Sequence, residues 1–141
     1  MTMTLSRRDA LLAGLSAFGL AAIPGLSMAA TLDELTAAFT NGAAVSTDGI
    51  TLTAPEIAEN GNTVPVGVSA PGAVAILLLA AGNPTPSVAT FTFGPAAGSQ
   101  MAATRIRLAK TQDVVALAKM ADGSIRQAQA TVKVTIGGCG G

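Results

Sequence analysis

The 141-residue chain contains no histidine, tryptophan or tyrosine, and it has a single cysteine. Each absence removes a class of function. Without histidine there is no Ser-His-Asp triad, no His-ligated zinc and no c-type haem attachment. One thiol and a few scattered carboxylates do not assemble a metal site either. Aromatic residues make up 3% of the chain, so the usual anchors for stacked bases or sugars and for tight interfaces are nearly missing. Charge is sparse and balanced, with eight Lys/Arg against eight Asp/Glu, whereas a nucleic-acid binder shows a basic patch. The inventory for chemistry is close to empty. The chain is therefore expected to be non-catalytic, to bind no cofactor or metal, and to have no nucleic-acid partner.

What is present begins with a leader. Arg7 and Arg8 precede an uncharged apolar run from Ala10 to Ile23, broken by Pro24-Gly25, and Ser27-Met28-Ala29 forms a small-x-small cleavage site. Residues 1–29 are read as a signal peptide cut after Ala29. Ser6-Arg7-Arg8-Asp9-Ala10-Leu11-Leu12 resembles the twin-arginine export motif, with Ala10 in place of the aromatic residue and Leu12 in place of the lysine. At about fourteen residues the run falls short of the roughly 20 that a membrane span needs. Export places the rest in the periplasm, an oxidising compartment where a lone cysteine has no internal partner. Removal of the leader leaves about 112 residues, six Lys/Arg and seven Asp/Glu, enough for one domain with one core.

Thr31-Leu32-Asp33-Glu34-Leu35-Thr36-Ala37-Ala38-Phe39 reads as a short helix, N-capped by Thr31 and ended by Asn41-Gly42. Its Leu32, Leu35 and Phe39 form a stripe, suited to the domain's own core or to a partner. Seven strands follow, at 50–53, 64–70, 74–80, 88–93, 102–109, 114–120 and 125–136, with turn signals at Pro71-Gly72, Gly82-Asn83-Pro84-Thr85-Pro86 and Asp122-Gly123. In the last strand Ala128, Ala130, Val132, Val134 and Ile136 alternate with polar residues, and Ile106 and Leu108 alternate with Arg105 and Arg107. Phe91 and Phe93 share one side and are expected in the core, whereas Arg105 and Arg107 read as charges on a solvated face. Seven strands with one wet face each indicate an all-β fold, an immunoglobulin-like antiparallel β-sandwich over residues 30–136 with a short N-terminal helix. A small closed barrel is the alternative.

The sequence ends Gly137-Gly138-Cys139-Gly140-Gly141. Glycine roams both halves of φ space, so these five residues are expected to be a flexible arm carrying a thiol away from a stiff body. Cys139 has no basic neighbour in the tail. At the ordinary cysteine pKa only about 3% of it is thiolate near pH 7, so another protein must activate it. Three extended residues beyond Ile136 reach roughly 10 Å, and without side chains they can thread a channel as narrow as a bare backbone.

The leader, the β-rich body, the Gly82-Asn83-Pro84-Thr85-Pro86 loop, the Thr104-Arg105-Ile106-Arg107-Leu108 stretch and the terminal GGCGG together resemble the SoxY family of bacterial thiosulfate oxidation. The resemblance covers essentially the whole chain. It implies a covalent sulfur carrier with Cys139 as attachment point and a SoxZ-like subunit as heterodimer partner. It also implies transient docking to the c-type cytochrome SoxXA, the hydrolase SoxB and the sulfane dehydrogenase SoxCD, which would hold the haem, manganese and molybdenum. Two other readings stay open. One is an exported structural sandwich whose terminal cysteine only cross-links copies. The other is a ubiquitin-like carrier that uses the final Gly140-Gly141 carboxyl group.

Overall fold

The runs Ala73–Ala80 and Val114–Ala118 are apolar at every position, and a strand built that way is stable only with both faces covered. In the computed structural model, which describes residues 30–137, both runs lie at the centre of the larger of two sheets. The leader expected at 1–29 lies outside the described residues.

Among the described residues, one helix and nine strands follow one another along the chain. They are α1 (Leu32–Thr40), β1 (Val45–Ser46), β2 (Thr51–Thr53), β3 (Ile57–Ala58), β4 (Val64–Ser69), β5 (Ala73–Ala80), β6 (Ser87–Thr92), β7 (Met101–Ile106), β8 (Gln112–Met120) and β9 (Ile125–Val134). The larger sheet runs β1-β9-β8-β5-β6, with β3 also on β9, and the smaller one runs β2-β4-β7. No ladder joins the two sheets among the described residues, so the expected sandwich is present and the barrel alternative is not.

Between the sheets, Val64, Val66 and Val68 of β4 meet Ile76, Leu78 and Ala80 of β5 and Val114, Ala116 and Ala118 of β8. Phe91 and Phe93 pack at the margin of this core, as their spacing predicted. The opposite face of the same central strands is not wet. Leu77, Leu79, Val115, Leu117 and Ile125 form a second cluster, covered by Leu32, Leu35 and Phe39 of α1. The helix stripe therefore serves the domain's own core. The one-wet-face expectation holds for the flanking strands and fails for β5 and β8. Lys119 also lies over the Phe39 ring, 5.0 Å from its centroid.

Helix α1 starts in a capping box. The Glu34 N–H donates to the Thr31 hydroxyl (3.3 Å), and the Thr31 N–H donates to the Glu34 carboxylate (2.7 Å). Hydrogen bonding from the Thr31 N–H, and secondarily from its side chain, holds the Glu34 carboxyl below its ordinary pKa. Asn41 ends the helix in the left-handed region at φ 49°. The Asp122-Gly123 hairpin forms as expected, with Gly123 at φ +86° and Asp122 accepting from both the N–H and the hydroxyl of Ser124.

Three expectations about strands need correction. The strand expected at 102–109 ends at Ile106, because a side chain occupies the backbone groups of Arg107 and Ala109 that a ladder would use. The last strand ends at Val134, and Ile136 is 66% exposed instead of buried. Beyond the Gln112↔Val132 pair, β8 no longer lies alongside, so the alternation runs on past the surface it would cover. Strands β1 and β3 were not expected at all. Each has two residues and pairs in parallel with β9.

Two outcomes follow from this packing. Leu117→Ala should destabilise the fold by about 2–5 kcal/mol in urea denaturation, while Ile136→Ala should change it by less than about 0.5 kcal/mol. Glu34→Gln should lower the melting temperature at neutral pH. A depressed carboxyl pKa contributes stability above the unfolded value and loses it as pH falls through the folded one. The difference between variant and wild type should therefore shrink on acidification.

Candidate functional site: the root of the C-terminal segment

After β9 the chain does not simply leave the body. Thr135 N–H donates to the Ala58 carbonyl (3.0 Å), and the Thr135 hydroxyl donates to the Glu59 carbonyl (3.0 Å). The Ile136 carbonyl accepts from the buried Gly61 N–H at 2.8 Å. Gly61 faces two ways, since its own carbonyl accepts from Leu108 N–H at 2.8 Å. The Asn60-Gly61-Asn62 turn thus ties the end of the last strand to the segment after β7. It is shaped by the Asn60 side chain, which accepts from Asn62 N–H at 2.9 Å.

Gly137 is the next residue, and it is half-buried. A Cβ placed on it would lie 2.6 Å from the Ala109 carbonyl oxygen, a backbone atom. No side chain fits there without moving the chain. The five-residue arm read from the sequence begins at Gly137, whereas the structure places Gly137 against the body. Gly138, Cys139, Gly140 and Gly141 lie outside the described residues.

The Ala109 carbonyl is itself held in place. Asn83 donates from Nδ2 to the Arg107 carbonyl (2.7 Å) and accepts at Oδ1 from Ala109 N–H (2.9 Å). Its Oδ1 also accepts from Gln112 Nε2 (2.8 Å). Gln112 is 7% exposed, and its amide is fully used: Nε2 donates to Asn83 and to the Lys110 carbonyl (3.0 Å), and Oε1 accepts from Gly82 N–H (2.8 Å). A buried amide left unpaired would cost about 1–3 kcal/mol, so this network locks the Gly82-Asn83 loop to the start of β8. Pro84 restricts Asn83 from the following position. Gly82 is required by close approach, since a Cβ there would sit 2.9 Å from the Cβ of Gln112.

The surface hollows differ in their lining, and one of about 260 Å³ holds Asp48 and Arg126 beside Gly49, Pro71 and Met120. Two others, about 240 and 470 Å³, lie over the small sheet and are lined by Thr, Gly, Val, Ser, Met, Ala and Pro residues, with no titratable side chain. Arg105 and Arg107 are exposed, as expected of a solvated face. In the sequence the Gly82–Pro86 loop stands out as a turn and as part of the family resemblance, but the pairing of Asn83 with Gln112 does not. Their polar side chains lie 29 residues apart, and no local pattern joins them.

The family model described as "Sulfur oxidation protein SoxY" matches residues 35–139, a span that ends on the cysteine. The chain is similar to the structure of the sulfur carrier protein SoxY from Chlorobium limicola f thiosulfatophilum. That likeness has 37% identity and a TM-score of 0.65, and it covers 75% of this chain and 97% of that one. It is also similar in fold to the superoxide reductase (neelaredoxin) of Ignicoccus hospitalis, at 19% identity and a TM-score of 0.55, covering 76% and 95%. At that identity the likeness shows the fold alone. No curated protein matches the sequence of this chain.

Gly82→Ala should force Gln112 out of its pairing and lower stability by about 1–3 kcal/mol, read as a fall in the urea midpoint at unchanged slope.

Proposed function

The chain belongs to the SoxY family of sulfur oxidation proteins, and on that premise we propose that it is a sulfur carrier whose attachment atom is Sγ of Cys139. The observation that carries this reading is the family match running through Cys139, the only thiol in a chain that has no histidine to build a catalytic site around.

The thiol carries substrate and the catalysis belongs to other proteins. The Cys139 thiolate and thiosulfate join through a new S–S bond, giving a cysteine S-thiosulfonate, and the two electrons released pass one at a time through c-type haem of a SoxXA-type cytochrome to further acceptors. Water then cleaves the terminal S–S bond. The sulfone leaves as sulfate, two protons are released, and a persulfide remains on Cys139. Where a sulfane dehydrogenase of SoxCD type is present, it takes six electrons from that sulfur while three waters supply oxygen and six protons are released. A second hydrolysis by a SoxB-type hydrolase then frees sulfate and restores the thiol. An S–S linkage suits this traffic, because it does not diffuse away yet exchanges readily with a thiolate or an oxidant. The haem, manganese and molybdenum belong to these partners.

Gly138, Gly140 and Gly141 leave the sulfur without bulky neighbours, so that several active sites can admit it in turn. A SoxZ-like subunit completes the carrier as a heterodimer. The leader at 1–29, with its twin-arginine character, would deliver the protein to the periplasm after folding or assembly.

Intact-mass measurement after incubation with thiosulfate and the oxidising cytochrome tests this. The wild-type chain should gain a sulfur-containing adduct. Cys139→Ser should gain none, while its melting curve stays that of the wild type. A wild-type product showing only the doubled mass of a disulfide-linked pair would leave the protein a cross-linker instead.

A further inference from the structure

The carrier reading leaves open where the carrying segment starts and what aims it. Two contacts decide its origin. Gly61 N–H holds the Ile136 carbonyl at 2.8 Å, and Gly137 lies so close to the Ala109 carbonyl that a Cβ would come within 2.6 Å of it. The second contact depends on Asn83. Arg107 and Ala109 are outside any strand; Leu108 between them is anchored by its fully buried side chain and its N–H bond to Gly61, and the side chain of Asn83 fixes the backbone groups on either side of it. It grips the segment on both sides of Leu108, donating to the Arg107 carbonyl and accepting from Ala109 N–H.

We propose that Asn83 is a positioning residue for sulfur transfer: by clamping residues 107–109 it holds the Ala109 carbonyl as a wall against Gly137, and so sets the point and heading from which Cys139 is presented. This rests on Cys139 being the sulfur attachment point. Gly137 is then the last residue of the body rather than the first of the arm. Its lack of a side chain answers to close packing, whereas Gly138, Gly140 and Gly141 answer to passage into partner enzymes.

The arrangement makes physical sense for a carrier. Cys139 lies two positions beyond Gly137, a span of at most about 7 Å. With so short a reach, a shift or tilt of the root moves the sulfur by a comparable distance. Misplacement of a reacting atom by about 1 Å can cost on the order of a hundredfold in rate. A carrier that must enter the sites of several enzymes in turn therefore needs a fixed origin, whatever freedom lies beyond it.

The test uses the full carrier, with its partner subunit, in three forms: parent, Asn83→Ala and Gly137→Ala. The Gly137 change follows the last strand and leaves the core untouched, so it remains informative if Asn83→Ala folds poorly. For enzymatic loading with thiosulfate, with the carrier as variable substrate, both variants should lower kcat about tenfold or more at nearly unchanged KM. Partial unfolding would do the opposite, raising apparent KM as folded carrier is depleted while kcat stays constant. Alkylation of Cys139 by iodoacetamide, which needs no presentation, should stay within about twofold of the parent rate.

A geometric readout stands beside the kinetics. With nitroxides on Cys139 and on an introduced Thr90→Cys, exposed on β6, the distance distribution should shift or broaden in both variants. Distributions that superimpose on the parent's would overturn the proposal, as would shifted distributions with unchanged kcat or an equal loss in alkylation. A parent protein that accepts no sulfur would sink the carrier reading, and the nitroxide distances would then decide the root geometry on their own.

Discussion

Everything in this domain depends on β8 being enclosed on four sides. It is hydrogen-bonded along one edge to β5 and along the other to β9. One face packs under the small sheet and the other under α1. Val114, Ala116, Leu117 and Ala118 are fully buried as a result. A strand with no free edge and no wet face cannot slip by one residue, because each register shift would carry its side chains from one packed layer into the other. The alternatives are removed by volume as well, since β8 gives Val114, Ala116 and Ala118 to the layer under the small sheet and Val115 and Leu117, larger on average, to the layer under α1.

That fixed register reaches the functional end of the molecule through ordinary pairing. Ala80 lies opposite Val114, which delivers the following Gly82-Asn83 loop beside Gln112. Gln112 lies opposite Val132, which places the end of β9 at the same spot. Three chain segments far apart in sequence therefore converge where the C-terminal residues depart. The polar network of Gly82, Asn83 and Gln112 is affordable in this partly buried place because every amide group in it has a partner. The core supplies the rigid body against which Gly137 packs.

The division between scaffold and cargo site also accounts for the composition. A body that only holds, docks and points needs neither histidine nor clustered carboxylates. Its hollows accordingly offer no titratable group over the small sheet. The same sandwich, at 19% identity, also builds the superoxide reductase of Ignicoccus hospitalis, so function here lies in residues placed on the fold and not in the fold itself.

The sequence by itself determined the helix and its caps, the seven main strands, the Asp122-Gly123 hairpin and the single thiol with its glycine neighbours. These are local matters: capping chemistry, two-residue alternation and turn residues act over a few positions and are visible there. Only the tertiary structure decided which faces were buried. Leu77, Leu79, Val115 and Leu117 look outward until α1 folds over them, and Ile136 continues an inward alternation after the surface beneath it has ended. The parallel bridges of β1 and β3 have two residues each, too short to show a period. The clamp of Asn83 on Arg107 and Ala109, and the packing of Gly137 that follows from it, unite residues 24 to 54 positions apart. Long-range packing creates such contacts, and no local stretch of sequence records them.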